Sequence, residues 1–262
     1  MPTALTIAGS DSGGGAGIQA DLKTFAAHGV YGTSAITAIT AQNTRGVRAW
    51  DAIRTDLVVA QIEAVAADIG ADAVKTGMLA NASIVEAVAE TIVRLGLRNL
   101  VVDPVMVAKG GDRLLEESAV DALRTHLIPL AYVVTPNLPE AELLARMPIA
   151  SLDDMAEAGR RILALGPRVV LVKGGHLEGP DSIDIACTES GAVELRAPRH
   201  HTKHTHGTGC TLASAIAANL ALDKHADEAI REAKAYVDGA IRHAPGLGKG
   251  HGPLEHFWRG LP

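Results

Sequence analysis

The tetrapeptide Gly207-Thr208-Gly209-Cys210 combines backbone donors with a nucleophilic side chain where a helix over Cys210–Leu222 is predicted to begin. Small residues at a helix N-terminus leave several N–H groups pointing one way, and with the helix dipole they form an anion site. Such a site suits the charge that develops on a transferring phosphoryl group. A cysteine there is expected to have a lowered pKa, so that its thiolate can act as a base or a nucleophile. The alternative is a small buried cysteine after a glycine turn.

A second glycine-rich turn, Gly9–Gly17, follows the first predicted strand and holds five glycines in nine residues. Glycines let a backbone approach a ligand closely and expose its N–H groups, so we interpret this turn as part of a binding site. Its spacing matches neither a Walker A loop nor a dinucleotide-binding turn. Asp21 lies at the edge of the apolar face of the next helix, where a carboxylate needs a partner. An ordinary solvated acid in the first helical turn is equally compatible with the sequence.

Polar residues also follow three further predicted strands. Lys173-Gly174-Gly175-His176 places a lysine where it can reach over a phosphate, although a solvated lysine at a strand end explains it as well. Asp103 ends one strand, and Asn137 and Glu140 follow the next. Carboxylates at adjacent strand ends can hold Mg²⁺ through waters and substrate phosphates. The spacing Asn-x-x-Glu is also that of a capping box, so this pair alone does not establish a metal site.

Amide and imidazole side chains supply two weaker signals. Gln42-Asn43 follows the second predicted strand, and a side-chain amide offers the donor and acceptor that match a heterocycle edge; a polar strand end is the alternative. Four histidines lie close together, at His200, His201, His204 and His206. Their spacing does not follow a zinc finger and no cysteine pair accompanies them, so we interpret them as a solvated loop near an anionic ligand.

The elements that must position these residues alternate between strands and helices. Short β-rich runs, several of them continuously apolar, are typical of strands buried on both faces of a parallel sheet. They are Ala4–Ala8, Ser34–Ala41, Ala71–Thr76, Asn99–Asp103, Tyr132–Thr135 and Val169–Lys173. Helical periodicity separates them, with a predicted capping box at Ser83 and Glu86, a helix starting at Ser118 and another over Met155–Leu165. The pattern predicts an α/β fold with a central, mostly parallel sheet and helices on both faces.

Beyond the last of these strands the rhythm changes. Ser182–Thr188 and Ala192–Ala197 predict a hairpin, and helices over Cys210–Leu222 and Ala226–His243 follow. No composition shift, repeat or linker divides residues 1–262, so we expect a single domain. In open α/β sheets, ligands bind beyond the carboxyl ends of the strands, which is where most of the motifs lie.

Composition excludes several classes of protein. The chain has 262 residues, 47% of them hydrophobic and 21% charged, which is too apolar for a disordered chain. A net charge of −6 gives no reason to expect a nucleic-acid surface, and no apolar run is long enough for a membrane helix. The first residues show no secretory signal, and two cysteines, Cys187 and Cys210, are what a reducing cytoplasm would allow. We therefore expect a cytoplasmic protein.

Taken in order, the motifs resemble those of the hydroxymethylpyrimidine/phosphomethylpyrimidine kinases of thiamine biosynthesis, in the ribokinase-like superfamily. The resemblance runs nearly end to end, and the ordered set is specific although each piece alone is not. The matching segments are the Gly9–Gly17 turn, Gln42-Asn43-Thr44-Arg45-Gly46, Lys75-Thr76-Gly77-Met78-Leu79, Asp103-Pro104-Val105-Met106, Thr135-Pro136-Asn137-Leu138-Pro139-Glu140, Lys173-Gly174-Gly175-His176, His206-Gly207-Thr208-Gly209-Cys210 and Gly248-Lys249-Gly250-His251-Gly252-Pro253. The resemblance implies a ribokinase-like fold and Mg²⁺-dependent, in-line transfer of the γ-phosphoryl group of ATP.

On the phosphoryl side, the resemblance implies that Cys210 takes the proton from the substrate's hydroxymethyl group. In related sugar kinases this position is an aspartate. The amides of Gly207, Thr208 and Gly209 would form the anion hole for the γ-phosphate, and Lys173 would neutralise the transferring phosphates.

On the acceptor side, the same resemblance implies that Asp103 and Glu140, with Asn137 nearby, organise Mg²⁺ and water. Gln42 would bind the edge of the aminopyrimidine. The remaining residues expected to line the substrate pocket are Gly9, Asp21, Met78 and Val105.

The implied substrate is 4-amino-5-hydroxymethyl-2-methylpyrimidine, phosphorylated first on its alcohol and then on the resulting monophosphate. A pyridoxal or pyridoxine kinase is the nearest alternative, since it acts on another hydroxymethyl heterocycle, and Gln42 favours the aminopyrimidine only weakly. A binding module without catalytic activity is a third interpretation. The presence together of Asp103, Lys173 and Cys210 argues against it. The resemblance also suggests a homodimer.

Overall fold

The central sheet is built from the short apolar runs that the sequence indicates. In the computed structural model, which describes residues 1–106, 117–175 and 179–260, the strands are β1 (Thr3–Ala8), β2 (Tyr31–Ile36), β3 (Ala38–Asn43), β4 (Gly46–Ala52), β5 (Ala73–Thr76), β6 (Leu100–Val102), β7 (Val133–Val134), β8 (Val169–Val172), β9 (Asp181–Thr188) and β10 (Gly191–Pro198). Within these residues, eight strands form one sheet in the order β10-β9-β8-β7-β6-β5-β1-β2. Strands β1, β2 and β5 to β8 pair in parallel, whereas β9 and β10 form the predicted antiparallel hairpin.

Helices cover both faces of this sheet. They are α1 (Gly17–Ala27), α2 (Thr55–Asp68), α3 (Ala82–Leu95), α4 (Glu117–Ala122), α5 (Leu138–Ala145), α6 (Leu152–Leu163), α7 (Thr208–Ala221) and α8 (Ala226–Arg242). One core packs on α2, α3, α5 and α6, and the other on α1, α7 and α8. Neighbours along a strand alternate between them, as Val101 and Val102 do, because successive side chains point to opposite faces. The fold class predicted from the sequence is confirmed.

The predicted strand Ser34–Ala41 is wrong as a single element. The chain leaves the main sheet at Thr37, whose N–H donates to Ala8 O at 3.0 Å and whose hydroxyl donates to Met78 O. Strand β3 then runs beyond the carboxyl end of the sheet and pairs with β4 in a separate two-stranded sheet. The sequence did not indicate β4, because most of its residues are exposed and carry no apolar alternation.

Several helix starts also differ from the prediction: α6 begins at Leu152 and not Met155, and α7 begins at Thr208 and not Cys210. Helix α3 is capped by Asn81, whose side chain accepts from Ile84 N at 3.0 Å, and not by a box of Ser83 and Glu86. Asparagine is as good an N-cap as serine, and Asn81, two positions before Ser83, is the residue that caps the helix. Helix α4 begins one residue before Ser118 and continues into a π-helical turn over Leu123–Leu127.

Strand order reverses beside β1, which lies between β5 and β2. The connections on its two sides run in opposite directions, and such a point leaves a crevice at the carboxyl ends of the strands. The Gly9–Gly17 turn opens directly into this crevice. None of the helices in the described part of the chain combines the length and apolar content needed to cross a bilayer.

Candidate active site

A cavity of about 620 Å³ lies at the carboxyl ends of the strands, beside the reversal in strand order. Almost every residue that the sequence singled out for the site lines it. They are Gly9, Gln42, Met78, Asp103, Val105, Asn137, Glu140, Lys173, Gly207, Thr208, Gly209 and Cys210. Asp21 is the exception, and His176 lies outside the described residues. The structure therefore brings segments from distant parts of the chain together around one cavity.

Helix α7 begins at this cavity with its first amides uncapped by any side chain. Gly207 precedes the helix with φ of 82°, and a Cβ there would lie 1.8 Å from Gly15 O, so only glycine fits. The hydroxyl of Thr208 is turned back to donate to Thr205 O at 2.8 Å. The first helical hydrogen bond at this end is from Thr211 N to Gly207 O, and Thr208 N makes only a long bond of 3.4 Å to Thr205 O, so the start of the helix presents an anion site at the cavity wall.

The Cys210 thiol departs from what the sequence led us to expect. Burial raises its pKa to about 11, although the nearby Lys75 ammonium acts in the opposite direction, and the Asp103 carboxylate adds to the rise. The predicted lowering of this pKa by the helix end is therefore wrong. Loss of water around the sulfur outweighs the Lys75 ammonium and the Gly17 N–H, which both favour the thiolate.

Lys173 lies beside the start of α7. Its Nζ donates to Asp103 Oδ1 at 2.9 Å, and Thr135 Oγ1 donates to the same oxygen at 3.2 Å. A Cβ on Gly209 would lie 3.2 Å from Lys173 Nζ, so the ammonium and the amides of α7 face the same space. Burial by itself lowers the pKa of Lys173, but the carboxylates of Asp103 and Glu140 outweigh it and raise that pKa. Lys173 is thus a fixed positive charge at the cavity.

Asn137 and Glu140 form the capping box that the sequence allowed as the alternative to a metal site. Glu140 N donates to Asn137 Oδ1 at 3.0 Å, and Asn137 N donates to Glu140 Oε2 at 2.8 Å, which starts α5. Burial raises the pKa of Glu140 to about 7; Lys173 lowers it and Asp103 raises it further. Among the described residues no three His, Cys, Asp or Glu side chains converge as a metal site. The carboxylates of Asp103 and Glu140 nevertheless face one cavity.

Asp21 does not line the pocket as expected. Its carboxylate is fully buried and accepts from Lys75 Nζ at 2.8 and 2.9 Å. Hydroxyls of Thr6 and Ser214 donate to it as well, each at 2.6 Å. The partner that a carboxylate needs there is a lysine on β5, and the pair is sealed between β1, β5 and α7. Lys75 lies next to the cavity and Asp21 does not, but no part of the Lys75 side chain is exposed.

Asp11 is a site residue that sequence reasoning missed. Its carboxylate accepts from the N–H groups of Gly13, Gly15 and Ala16 at 2.8, 3.0 and 2.8 Å and so holds the glycine-rich turn closed. His206 Nε2 lies 2.8 Å from Asp11 Oδ2. An acidic residue inside a glycine-rich turn was the available signal, because aspartate often accepts from amides that follow it.

The histidine cluster is not the solvated loop that we predicted. His206 lines the cavity with Asp11, and His200 lines it with Nε2 at 2.6 Å from Asp238 Oδ1. His201 alone of the four is exposed. Each of the two cavity histidines has a carboxylate partner on an element far away in the sequence, so the loop is anchored at both ends.

This sheet order, with an uncapped helix start, a lysine and carboxylates converging on one cavity, defines a kinase of ribokinase-like architecture. A model of the phosphomethylpyrimidine kinase family matches residues 11–255. The chain belongs to this family, as its motifs indicated.

Individual relatives agree with that assignment. A Streptomyces coelicolor protein named hydroxymethylpyrimidine/phosphomethylpyrimidine kinase is 52% identical over 258 residues, which are 98% of this chain and 95% of that protein. The thiamine biosynthesis bifunctional protein ThiED of Geobacter sulfurreducens is 53% identical over 97% of this chain, but the chain spans only 52% of that protein. A solved ADP complex of Bacillus subtilis pyridoxal kinase superposes with a TM-score of 0.91 at 42% identity, covering 98% of this chain and 97% of the other.

Proposed function

We propose that the chain transfers the γ-phosphoryl group of ATP to 4-amino-5-hydroxymethyl-2-methylpyrimidine and then to the resulting monophosphate. The observation that carries the proposal is the meeting of three groups in one cavity: the uncapped start of α7, the Lys173 ammonium and the Gln42 amide. The first two stabilise a transferring phosphoryl group, and the third pairs with an aminopyrimidine. Family membership makes this chemistry the expected one.

The nucleotide phosphates would meet the amides of Gly207, Thr208 and Gly209. These amides and Lys173 are held before any ligand arrives, so little reorganisation is needed as charge develops on the equatorial oxygens. The same cavity has an apolar wall of Leu212, Val237 and Ile241, which suits a flat purine ring. The Bacillus subtilis relative has been solved with ADP, which supports a nucleotide in this architecture.

The carboxylates of Asp103 and Glu140 fit Mg²⁺ in the way that phosphoryl-transfer sites use it. Mg²⁺ is bound through one or two carboxylates, with waters and substrate phosphates completing its shell. Two buried carboxylates provide that number, and both face the same cavity. Asn137 holds Glu140 in place through the capping box. When bound, the ion would neutralise phosphate charge.

The two phosphorylations make different demands on the chain. In the first, the hydroxymethyl oxygen forms a bond to the γ-phosphorus, the bond to the bridging oxygen breaks with its electron pair leaving on ADP, and the hydroxyl proton must go to a base. We assign that base to the thiolate of Cys210: burial raises the pKa of this thiol, while the Lys75 ammonium and the Gly17 N–H favour its thiolate form. In the second, the acceptor is a phosphate monoester, which is already anionic near pH 7 and needs no base.

Pyridoxal phosphorylation is the second candidate, because the Bacillus subtilis pyridoxal kinase shares this fold over nearly its whole length. Both acceptors are hydroxymethyl heterocycles of similar size. The Gln42 amide favours the aminopyrimidine, since it can donate to a ring nitrogen and accept from the neighbouring amino group at once.

The decisive experiment measures ADP release from Mg-ATP with the aminopyrimidine alcohol, with its monophosphate and with pyridoxal. We expect turnover with the first two and a lower kcat/KM for pyridoxal. A higher kcat/KM for pyridoxal would establish the second candidate. Tight binding of the pyrimidine without ADP release from any acceptor would overturn both and leave a binding module.

Assembly and location are further proposals. Following the family resemblance, we propose a homodimer, which light scattering would detect as twice the 27.1 kDa of one chain. Cys187 and Cys210 are both free thiols, which fits a cytoplasmic location.

A further inference from the structure

The Gln42 amide lies between two polar neighbours at the cavity wall. Its Oε1 is 3.4 Å from Thr40 Oγ1, and its Nε2 is 3.4 Å from His206 Nε2. The nitrogen and oxygen of a terminal amide exchange places when the group turns by 180°, so the hydrogen-bonding capacity of the neighbours decides which atom lies where.

His206 can act only as a donor toward Gln42. Its Nε2 is 2.8 Å from Asp11 Oδ2, and Asp11 is ionised: burial would raise the pKa of Asp11, but His206 and the amides of Gly13 and Ala16 outweigh burial and lower it. A carboxylate only accepts hydrogen bonds, so Nε2 carries the proton. A nitrogen that carries a proton has no lone pair for an amide N–H, and the atom of Gln42 facing it must be the oxygen.

Thr40 imposes the same orientation from the other side. Its hydroxyl has one proton, which it donates to Ser10 O at 2.8 Å. Toward Gln42 it can therefore only accept, and the amide atom facing it must be the NH₂ group. Both neighbours thus require the amide turned by 180°, with its NH₂ group beside Thr40 and its oxygen beside His206. The His206 ring packs closely on Gly15, where an added Cβ would lie 2.6 Å from its Cδ2.

From this we infer that Asp11 and His206 are positioning residues that hold the Gln42 amide with its oxygen toward His206, and so set the preference for an aminopyrimidine over pyridoxal. The inference rests on the proposed function. In the pyrimidine, an amino group that donates lies next to a ring nitrogen that accepts. The Gln42 amide can pair with both only when its oxygen faces the amino group and its NH₂ group faces the ring nitrogen. The amino group must then lie on the His206 side and the ring nitrogen on the Thr40 side. Pyridoxal has no amino group beside its ring nitrogen, so this orientation of the Gln42 amide gives it no second hydrogen bond.

The test compares kcat/KM for the aminopyrimidine alcohol with kcat/KM for pyridoxal in matched variants. His206→Met removes the donor, whereas His206→Gln keeps an N–H at a similar reach. We expect the ratio of kcat/KM for the pyrimidine to kcat/KM for pyridoxal to fall about three- to tenfold in His206→Met, because KM for the pyrimidine rises. The ratio should recover in His206→Gln. His201→Met makes the same substitution on the exposed neighbour and serves as the control. Equal losses on both substrates would overturn the inference.

A double-variant cycle and a complex separate this role from general damage. In a Gln42→Met background, His206→Met should leave the ratio unchanged, because the amide that it orients is absent; the same fall in that background would contradict the inference. A crystal structure with the pyrimidine should show its amino group next to the Gln42 atom that faces His206, and the reverse order would also overturn it. Failure of the proposed function would instead appear in the wild-type chain, as absent turnover with the pyrimidine.

Discussion

Two lysine–aspartate pairs lie near the carboxyl ends of the strands, with their lysines on β5 and just after β8, yet they differ in what surrounds them. Lys75 and Asp21 are sealed, with 0% of either side chain exposed, and two hydroxyls complete the shell of the carboxylate. Lys173 and Asp103 are 15% and 2% exposed and border the cavity. The Lys75–Asp21 pair is therefore a buried ion pair inside the protein, whereas the Lys173–Asp103 pair places a charge at the ligand cavity.

The difference follows from desolvation. A buried ion pair is costly to form and more costly to break, because removal of one partner leaves an unpaired charge away from water. The Lys75–Asp21 pair joins β1, β5, α1 and α7 and holds them in register beneath the site. The Lys173 ammonium keeps a cavity-facing side, so an incoming phosphate can share it with Asp103. Cys210 lies within electrostatic reach of both lysines.

Cys210→Ala should produce the largest change and shows whether the thiol between the two pairs is a base. We expect kcat/KM for the alcohol to fall about 10²–10⁴-fold, while phosphorylation of the monophosphate falls much less, because only the alcohol loses a proton. Separate steady-state assays of the two acceptors measure this. An alcohol step that keeps its full rate would exclude Cys210 as the base.

Lys75→Met should cost the most stability, about 3–5 kcal/mol in the free energy of unfolding, since Asp21 is left buried and unpaired. Urea unfolding measures it. The double variant Lys75→Met/Asp21→Asn should recover part of the loss, because no charge then remains. Lys173→Met is the matched substitution at the cavity pair and should cost less. Equal losses from the two single variants would remove the distinction between the pairs.

Lys173→Met should instead act on catalysis. We expect kcat/KM to fall about 10²–10³-fold for the alcohol and for the monophosphate alike, because both reactions place the same charge on the transferring group. Circular dichroism checks that the variant is folded. A loss confined to one of the two acceptors would assign Lys173 to that acceptor rather than to the phosphoryl group.

Glu140→Gln should give the smallest effect, in the pH dependence of stability. Because the folded protein raises the pKa of Glu140 from 4.5 to about 7, it binds more protons than the unfolded chain between these values. The free energy of unfolding should therefore fall as pH rises from about 4.5 through 7, by about 1–3 kcal/mol. The glutamine variant should lack this decline. Urea unfolding at pH 5 and pH 8 with both proteins tests it, and parallel pH dependence would contradict the assignment.

Much of the fold follows from local patterns. The buried strands appear as continuous apolar runs because both of their faces are covered, and the Asn137–Glu140 box depends on residues three positions apart. Strand β4 was missed because its exposed residues carry no period. The start of α3 was misplaced because Ser83 and Asn81 are both good caps, and local sequence does not rank them.

The sequence by itself determined the α/β class, the glycine-rich turns and the motif order that indicates the family. Only the tertiary structure decided that Asp21 faces Lys75 and not the cavity, that His206 meets Asp11 across 195 residues of chain, and that Cys210 has a raised pKa. Hydrogen-bond geometry and desolvation depend on which distant segments close around a group. No spacing along the chain contains that information.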